Sequence, residues 1–251
     1  MKPRGIKPVV AGAKVNICVF GIPGSGKTRL AGSSGKRTLI LRPPTDHTDS
    51  LGVSSGVDEW IMRDWDDMNE SSDFMRSDEA GKMYDWIWLD SISLFQDTGL
   101  DHIWADTLAR KPDRGKYGLD KAEYGINMFR LGQWVRHVVG MEAFNFGITA
   151  HQFETTDVND DPVCMPWVQG NQMAEKICGY MNVVGHLEGK VKNGQPYNVL
   201  NTRHEGLYYA KDQYNKIGKM VNPTIPKIMA AINGAAKPTA RRRRTTTTQG
   251  A

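Results

Sequence analysis

The sequence has little cysteine. Cys18, Cys164 and Cys178 are the only three in 251 residues. They form no CxxC pair and sit in no His/Cys cluster at zinc spacing, which excludes a disulfide scaffold and a zinc module. There is no apolar run of about 18 residues, so no membrane-spanning helix is expected. The start, Met1-Lys-Pro-Arg-Gly-Ile-Lys7, is basic but lacks the apolar stretch and cleavage site of a secretion signal. These absences point to a reducing, cytoplasmic setting with no membrane partner. No internal repeat occurs, which excludes a solenoid.

The excess of positive charge sits in one place, the C-terminal tail. The formal net charge is +4 and the pI about 8.9, values that suggest an anionic partner. Residues 235–251 hold five bases, Lys237, Arg241, Arg242, Arg243 and Arg244, and no acid, which leaves residues 1–234 at −1. This tail also lacks any apolar side chain larger than alanine, so it cannot bury enough surface to fold and reads as disordered. Residues 1–13 are rich in Pro, Gly and Lys and read as a flexible arm. Residues 14–234 are left as the folded domain, with ordinary globular composition (39% hydrophobic, 26 glycines in the whole chain).

Within it, short apolar runs with β-branched and aromatic residues mark buried strands at 15–20, 38–41, 86–89 and 143–149. Helices are expected at 27–34, in part of 58–84, at 121–139 and at 170–181. In the 121–139 helix, Ile126, Met128, Phe129, Leu131, Trp134, Val135 and Val138 recur at helical spacing and read as its apolar face. Loops are expected at 105–121 and 154–168. Strands follow at 183–187, 197–200 and 207–210, the first two joined through Asn193-Gly194, a hairpin-turn pair. Strands alternating with helices, then a meander, predict an α/β fold: a mainly parallel sheet flanked by helices with a C-terminal antiparallel extension.

Gly21-Ile-Pro23-Gly24-Ser25-Gly26-Lys27-Thr28 matches GxxxxGK[ST], the phosphate-binding loop, at every fixed position. Glycines let backbone N–H groups turn inward as an anion nest at a helix N-terminus. Lys27 is placed to reach the β- and γ-phosphates and the Thr28 hydroxyl to ligate Mg²⁺. Arg29 follows on the same helix. A carboxylate ending a neighbouring strand should complete the Mg²⁺ shell, and Asp90 after Trp86-Ile-Trp-Leu89 fits. Asp90 is followed by Ser91. The glutamate that polarises water in many phosphate-loop ATPases is missing there, which disfavours unfoldases, transporters and packaging motors. The base is then expected past the strand at 38–41, where Asp46 is the first choice and Asp49 the second. A turn aspartate after Pro43-Pro44 is the plain alternative.

These residues, with Leu89-Asp90-Ser91, Ile148-Thr-Ala-His151, Pro166-Trp-Val-Gln-Gly170 and Tyr208-Tyr-Ala-Lys211-Asp-Gln213, resemble the phage-encoded RecA-like ATPases of the Sak type. These are small AAA-domain proteins linked to single-strand annealing. The resemblance covers about residues 14–215. It implies a RecA-like fold with ATP and Mg²⁺ as cofactors. It also implies His151 or the adjacent Gln152 as a sensor of the γ-phosphate, and assembly as a ring or filament. Lys211 matches the first position of a Lys-x-Arg pair that reaches a neighbouring subunit's nucleotide. Gln213 replaces the arginine, and Asn182 stands where relatives carry an aspartate. Slow hydrolysis, or hydrolysis incidental to binding, is compatible with these departures.

The resemblance implies single-stranded DNA as partner, gripped by loops after the Asp90 and His151 strands. The first, residues 110–121, holds five bases and two acids, with Arg110, Lys111, Arg114 and Lys116 as phosphate contacts and Tyr117 to stack on a base. The second carries Glu154, Asp157, Asp160 and Asp161 and no base, so it would repel phosphate. Arg241 to Arg244 would add a salt-sensitive, sequence-independent contact. Most of the seven tryptophans, Trp86, Trp88 and Trp134 among them, read as core, and Trp167 beside Pro166 is the one candidate for a stacking platform. The leading expectation is a phage recombination ATPase that binds single-stranded DNA and promotes annealing or strand pairing, with a single-strand-binding protein as a possible partner in the bacterial host cytoplasm. Two other classes fit the same loop: a nucleotide or small-molecule kinase with residues 110–116 as its lid, and a non-hydrolysing nucleotide-gated adaptor.

Overall fold

A computed structural model describes residues 14–52, 56–157 and 159–234. The N-terminal arm and the basic tail with Arg241 to Arg244 lie outside the described residues. The chain forms β1 (Asn16–Phe20), α1 (Lys27–Gly32), β2 (Thr38–Arg42), β3 (Asp58–Ile61), α2 (Trp65–Arg76), α3 (Asp78–Met83), β4 (Trp86–Leu89), α4 (Ile92–Arg110) and α5 (Lys121–Gly140). It continues with β5 (Asn145–Ala150), β6 (Gln152–Thr156), β7 (Pro162–Pro166), α6 (Asn171–Tyr180), β8 (Val183–Lys192), β9 (Gln195–Asn201), β10 (Lys211–Asp212), β11 (Lys219–Val221) and α7 (Ile225–Asn233).

The main sheet runs β11-β9-β8-β1-β5-β4-β2-β3, with β10 also paired to β8. Six strands, from β8 to β3, are parallel, and β9, β10 and β11 are antiparallel. The parallel strands read as continuous apolar runs because both sheet faces are covered. On one face Cys18, Phe20, Leu39, Leu41, Ile87, Leu89, Phe146 and Ile148 pack with α2 to α6. On the other, Ile17, Val19, Ile40, Trp86 and Trp88 pack with α1 and α7. Gly147 is fixed by this packing, since a Cβ there would lie 2.2 Å from the Trp88 ring.

Several expectations are corrected. The 105–121 segment is loop only in part. Helix-favouring Ala105, Leu108 and Ala109 carry α4 to Arg110, and residues 112–116 form a 3-10 turn. Residues 154–168 are not an irregular loop. Phe153, Thr155, Thr156 and Val163 suit the β6–β7 hairpin, closed by Asp157, whose carboxylate accepts the Asn159 and Asp161 amides. Residues 207–210 form no strand, only a bridge from Tyr208 to Cys164, and pairing moves to β10 and β11. Ile126 and Phe129 are not core: they are 44% and 63% exposed, because the buried stripe runs through Glu123, Asn127, Leu131 and Trp134. The turn at Asn193-Gly194 has positive φ at both residues (52° and 74°) and joins β8 to β9, as its sequence predicts. Helix α7 has its own signals: Thr224 accepts the Lys227 amide at its start, and Ile225, Ile228 and Ile232 bury one face.

Candidate functional site

In an open α/β sheet, ligands meet the carboxyl ends of the parallel strands. Here β1 ends at the phosphate loop, β4 at Asp90, β5 at His151, and β2 leads to Asp46. Their ends surround a cavity of about 470 Å³ lined by Pro23, Gly24, Gly26, Lys27, Thr28, Arg29, Asp46, Ser50, Asp90, Ser91, His151 and Asn198. Residues far apart in sequence are thus brought to one place.

The loop keeps its shape through backbone conformations that side chains rarely adopt. Gly24 and Gly26 have φ of +79° and +90°. The cover is the β8–β9 hairpin. A Cβ on Gly21 would lie 2.3 Å from the Leu187 carbonyl oxygen, and one on Gly26 would lie 2.5 Å from Asn198 Nδ2. Lys27 is buried and donates to the carbonyls of Gly21 (3.1 Å) and Ile22 (2.9 Å). Burial lowers its pKa, opposed by the nearby Asp90 and Asp46 carboxylates.

Asp90 is buried and accepts hydrogen bonds from the Thr149 and Thr28 hydroxyls. Burial pushes its carboxyl up to about 6, with the Asp46 charge adding to the rise and Thr149, Thr28 and Lys27 opposing it. The Asp90–Ser91 peptide is cis. His151 stacks on Trp167 (ring centroids 6.2 Å apart, 15° between planes). Its pKa is lowered by burial and by Lys27. Ser93 Oγ accepts the His151 amide (2.9 Å) and donates to the Trp167 carbonyl (2.7 Å), which fixes the pair at the mouth of the β6–β7 hairpin. Asp46 sits beyond Pro43-Pro44, with its carbonyl held by Arg42 (2.8 Å), which also grips Glu59. Asp49 starts a short 3-10 turn and does not line the cavity, whereas its neighbour Ser50 does.

A second cavity of about 750 Å³ adjoins the first through Gly26, Arg29, Ser50 and Asn198. Leu51, Leu187, Tyr197, Pro223 and Lys227 help line it. The sequence reading missed these residues. The Asn193-Gly194 turn signalled a hairpin, but nothing in the sequence says that it folds back over α1.

Two expected site residues lie elsewhere. Gln152 turns away from the cavity and meets the His186 ring nitrogen (3.1 Å). Lys211 pairs in register with Val184, and its ammonium donates to the Gly179 carbonyl (3.0 Å) at the end of α6. A cation at a helix carboxyl end is a sufficient reason for that position. Gln213, too, is engaged within the chain, accepting from Asn182 Nδ2 (2.9 Å).

The expected nucleic-acid loop is partly neutralised. Arg114 is held by Asp120 (2.8 Å) and Glu123 (3.1 Å), and Lys116 by Asp113 (3.3 Å). Arg114 therefore braces the capping box at the start of α5. Arg110 donates to the Asp106 carbonyl, Lys111 is exposed, and Tyr117 is 78% exposed.

The phosphate loop after β1, Asp90 ending β4, and β5 lying between those two strands define a RecA-like phosphate-loop NTPase fold. An AAA-domain family model matches residues 13–214, and the chain belongs to that family. Among solved structures, the flagellar accessory protein FlaH from Methanocaldococcus jannaschii is 11% identical, with a TM-score of 0.41 and 84% of each chain covered. The RadB recombinase is 17% identical, with a TM-score of 0.45 over 78% of this chain and 85% of that one. Neither bears on what this chain acts upon. No curated relative matches it. Among the described residues, no helix is long and apolar enough to cross a membrane.

Proposed function

We propose that the protein binds Mg²⁺-ATP in this cavity, hydrolyses it slowly, and uses the nucleotide to control single-stranded DNA binding and strand annealing. One observation carries the ATP reading: Lys27, Thr28, Asp46, Asp90 and His151 line one cavity around the phosphate loop. In this reading the loop amides hold the phosphates, and Lys27 turns from the Gly21 and Ile22 carbonyls toward them. Asp46 orients a water and takes its proton as the water oxygen bonds to the terminal phosphorus and the β–γ bridge breaks. His151, kept neutral by burial and by Lys27, reads the terminal phosphate by hydrogen bonding.

The donor set suits Mg²⁺. Thr28 and Asp90 offer hard oxygens side by side, and a buried carboxylate held only by hydroxyls and a nearby lysine is short of positive charge. Bound there, Mg²⁺ would neutralise charge on the phosphates. The adenosine of ATP would then occupy the adjoining larger cavity, which Tyr197 and Asn198 help line.

The DNA reading is supported by the family resemblance, by exposed Tyr117 with Arg110 and Lys111 at the end of α4, and by the arginines of the tail. Assembly into a ring or filament belongs to the same reading. With Lys211 and Gln213 tied inside the chain, activation of a neighbour's nucleotide is weak.

Annealing of complementary fluorescent strands, with and without Mg²⁺-ATP and alongside phosphate release, tests the reading for wild type, Lys27→Ala and a chain ending at Gly234. ATP-dependent annealing lost in Lys27→Ala is expected. Absence of single-strand binding at low salt overturns the DNA half. Nucleotide-controlled binding without phosphate release instead identifies a non-hydrolysing adaptor, the reading that the missing glutamate after Asp90 favours. A kinase is disfavoured by Arg114, which Asp120 and Glu123 withhold from any lid.

A further inference from the structure

Four hydroxyls cluster about the end of β4, and three of them are engaged. Thr149 and Thr28 donate to Asp90, and Ser93 bridges the His151 amide and the Trp167 carbonyl. Ser91 is different. It is 1% exposed, and its Oγ has no hydrogen-bond partner. Asn16 Oδ1, Ser25 Oγ, Thr38 Oγ1 and Gln169 Oε1 share that condition among the described residues, but of these five residues only Ser91 lines the phosphate cavity.

A buried hydroxyl without a partner carries an uncompensated desolvation cost, whereas an alanine there would carry none. The cost is recovered when something entering the cavity supplies the partner. Ser91 shares that cavity with Lys27, Thr28, Asp46 and His151, so the entering group is an anion rich in acceptor oxygens. The loop amides already account for the inner phosphates. An acceptor on the side of Asp90 and Asp46 belongs to the outermost one.

We propose that the Ser91 hydroxyl donates a hydrogen bond to the terminal phosphate of bound ATP, so that this chain distinguishes nucleoside triphosphate from diphosphate at the position where many phosphate-loop ATPases place a glutamate. This rests on the ATP reading above. A hydroxyl in that place is a donor at neutral pH and cannot take a proton from water as a glutamate does. Ser91 therefore discriminates between ligands and leaves proton abstraction to Asp46.

Calorimetric titration with Mg²⁺-ADP and with Mg²⁺ plus a non-hydrolysable ATP analogue tests this on the full-length protein, for wild type, Ser91→Ala and Ser91→Thr. In Ser91→Ala the analogue should bind about 10- to 100-fold more weakly, the loss of one hydrogen bond to a charged group. ADP affinity should stay within about twofold, and ligand-free thermal stability should be unchanged or raised. Ser91→Thr, which keeps the hydroxyl, should recover part of the discrimination. Equal weakening of both ligands, or a lowered ligand-free melting temperature in Ser91→Ala, would show a packing role and overturn the proposal. Unchanged analogue affinity would overturn it as well. If wild type binds neither ligand, it is the ATP reading itself that fails.

Discussion

Arg42 holds Glu59 with two nitrogens, at 2.8 and 3.1 Å, and spends a further N–H on the Asp46 carbonyl at 2.8 Å. One side chain thus ties edge strand β3 to β2 and sets the loop that carries the candidate base. Thr48 adds a hydrogen bond to Glu59 from the other end of that loop.

This clamp predicts an acid-sensitive element. Hydrogen bonds from Arg42 and Thr48 hold the Glu59 carboxyl down at about 2, below its usual 4.5. A depressed carboxyl favours the folded state above its ordinary pKa, and that favour is lost as pH falls from about 4.5 toward 2. Glu59 is substantially exposed, so solvent screening keeps the contribution below about 1 kcal/mol. Glu59→Gln should melt slightly lower than wild type at pH 7 and coincide with it near pH 2. It should also slow phosphate release severalfold by loosening Asp46, with ADP affinity unchanged. Identical melting curves at pH 7 would remove the clamp from the account.

The reach of the sequence follows from where information is local. The phosphate loop was legible because glycine spacing, strand and helix all lie within one short stretch, and the structure brings Asp90, Asp46 and His151 to its side. The placement of Lys211 was not legible. Its sequence matches a pattern, but its partner is a helix end more than thirty residues away. Asn198 and Leu187 were missed because contact with Gly26 and Gly21 depends on how a hairpin folds over the loop. Arg114 shows the opposite error: counting charges in 110–121 ignored Glu123, just past the segment, which claims it.

Asp90→Asn should stabilise the ligand-free protein. A carboxyl raised to about 6 binds its proton more tightly folded than unfolded, so wild-type stability falls as pH rises from about 4 to 6 and stays lower above. The difference corresponds to at most about 3 kcal/mol. Melting of Asp90→Asn should lack that fall and exceed wild type at pH 7.5, while Mg²⁺-nucleotide should no longer raise it. A variant that melts lower than wild type at pH 7.5 would contradict the sign.

Gly26→Ala meets two obstacles at once. Its φ of +90° disfavours any Cβ, and that Cβ would press on Asn198 Nδ2 at 2.5 Å. A loss of about 1–3 kcal/mol in stability is expected, together with loss of nucleotide binding. Adding Asn198→Ala removes the contact and leaves the backbone strain, so the double variant should recover stability in part. Full recovery in denaturant melts would mean that the contact alone mattered.

Bases in the 110–121 segment divide into those paired within the chain and those left to solvent. Arg114 is paired twice, so Arg114→Ala should lower the melting temperature by uncapping α5, with little effect on the salt dependence of single-strand binding. Arg110 donates only to the Asp106 carbonyl among the described residues and Lys111 is exposed, so Arg110→Ala with Lys111→Ala should reduce the slope of log affinity against log salt by about 1–2. Tyr117→Ala should weaken binding by about 1–3 kcal/mol with the slope unchanged, because stacking releases no counterions. Ending the chain at Gly234 removes five positive charges. If that truncation alone abolishes binding, while the double and tyrosine variants bind as wild type does, the contact belongs to the tail and the α4 tip has no part in it.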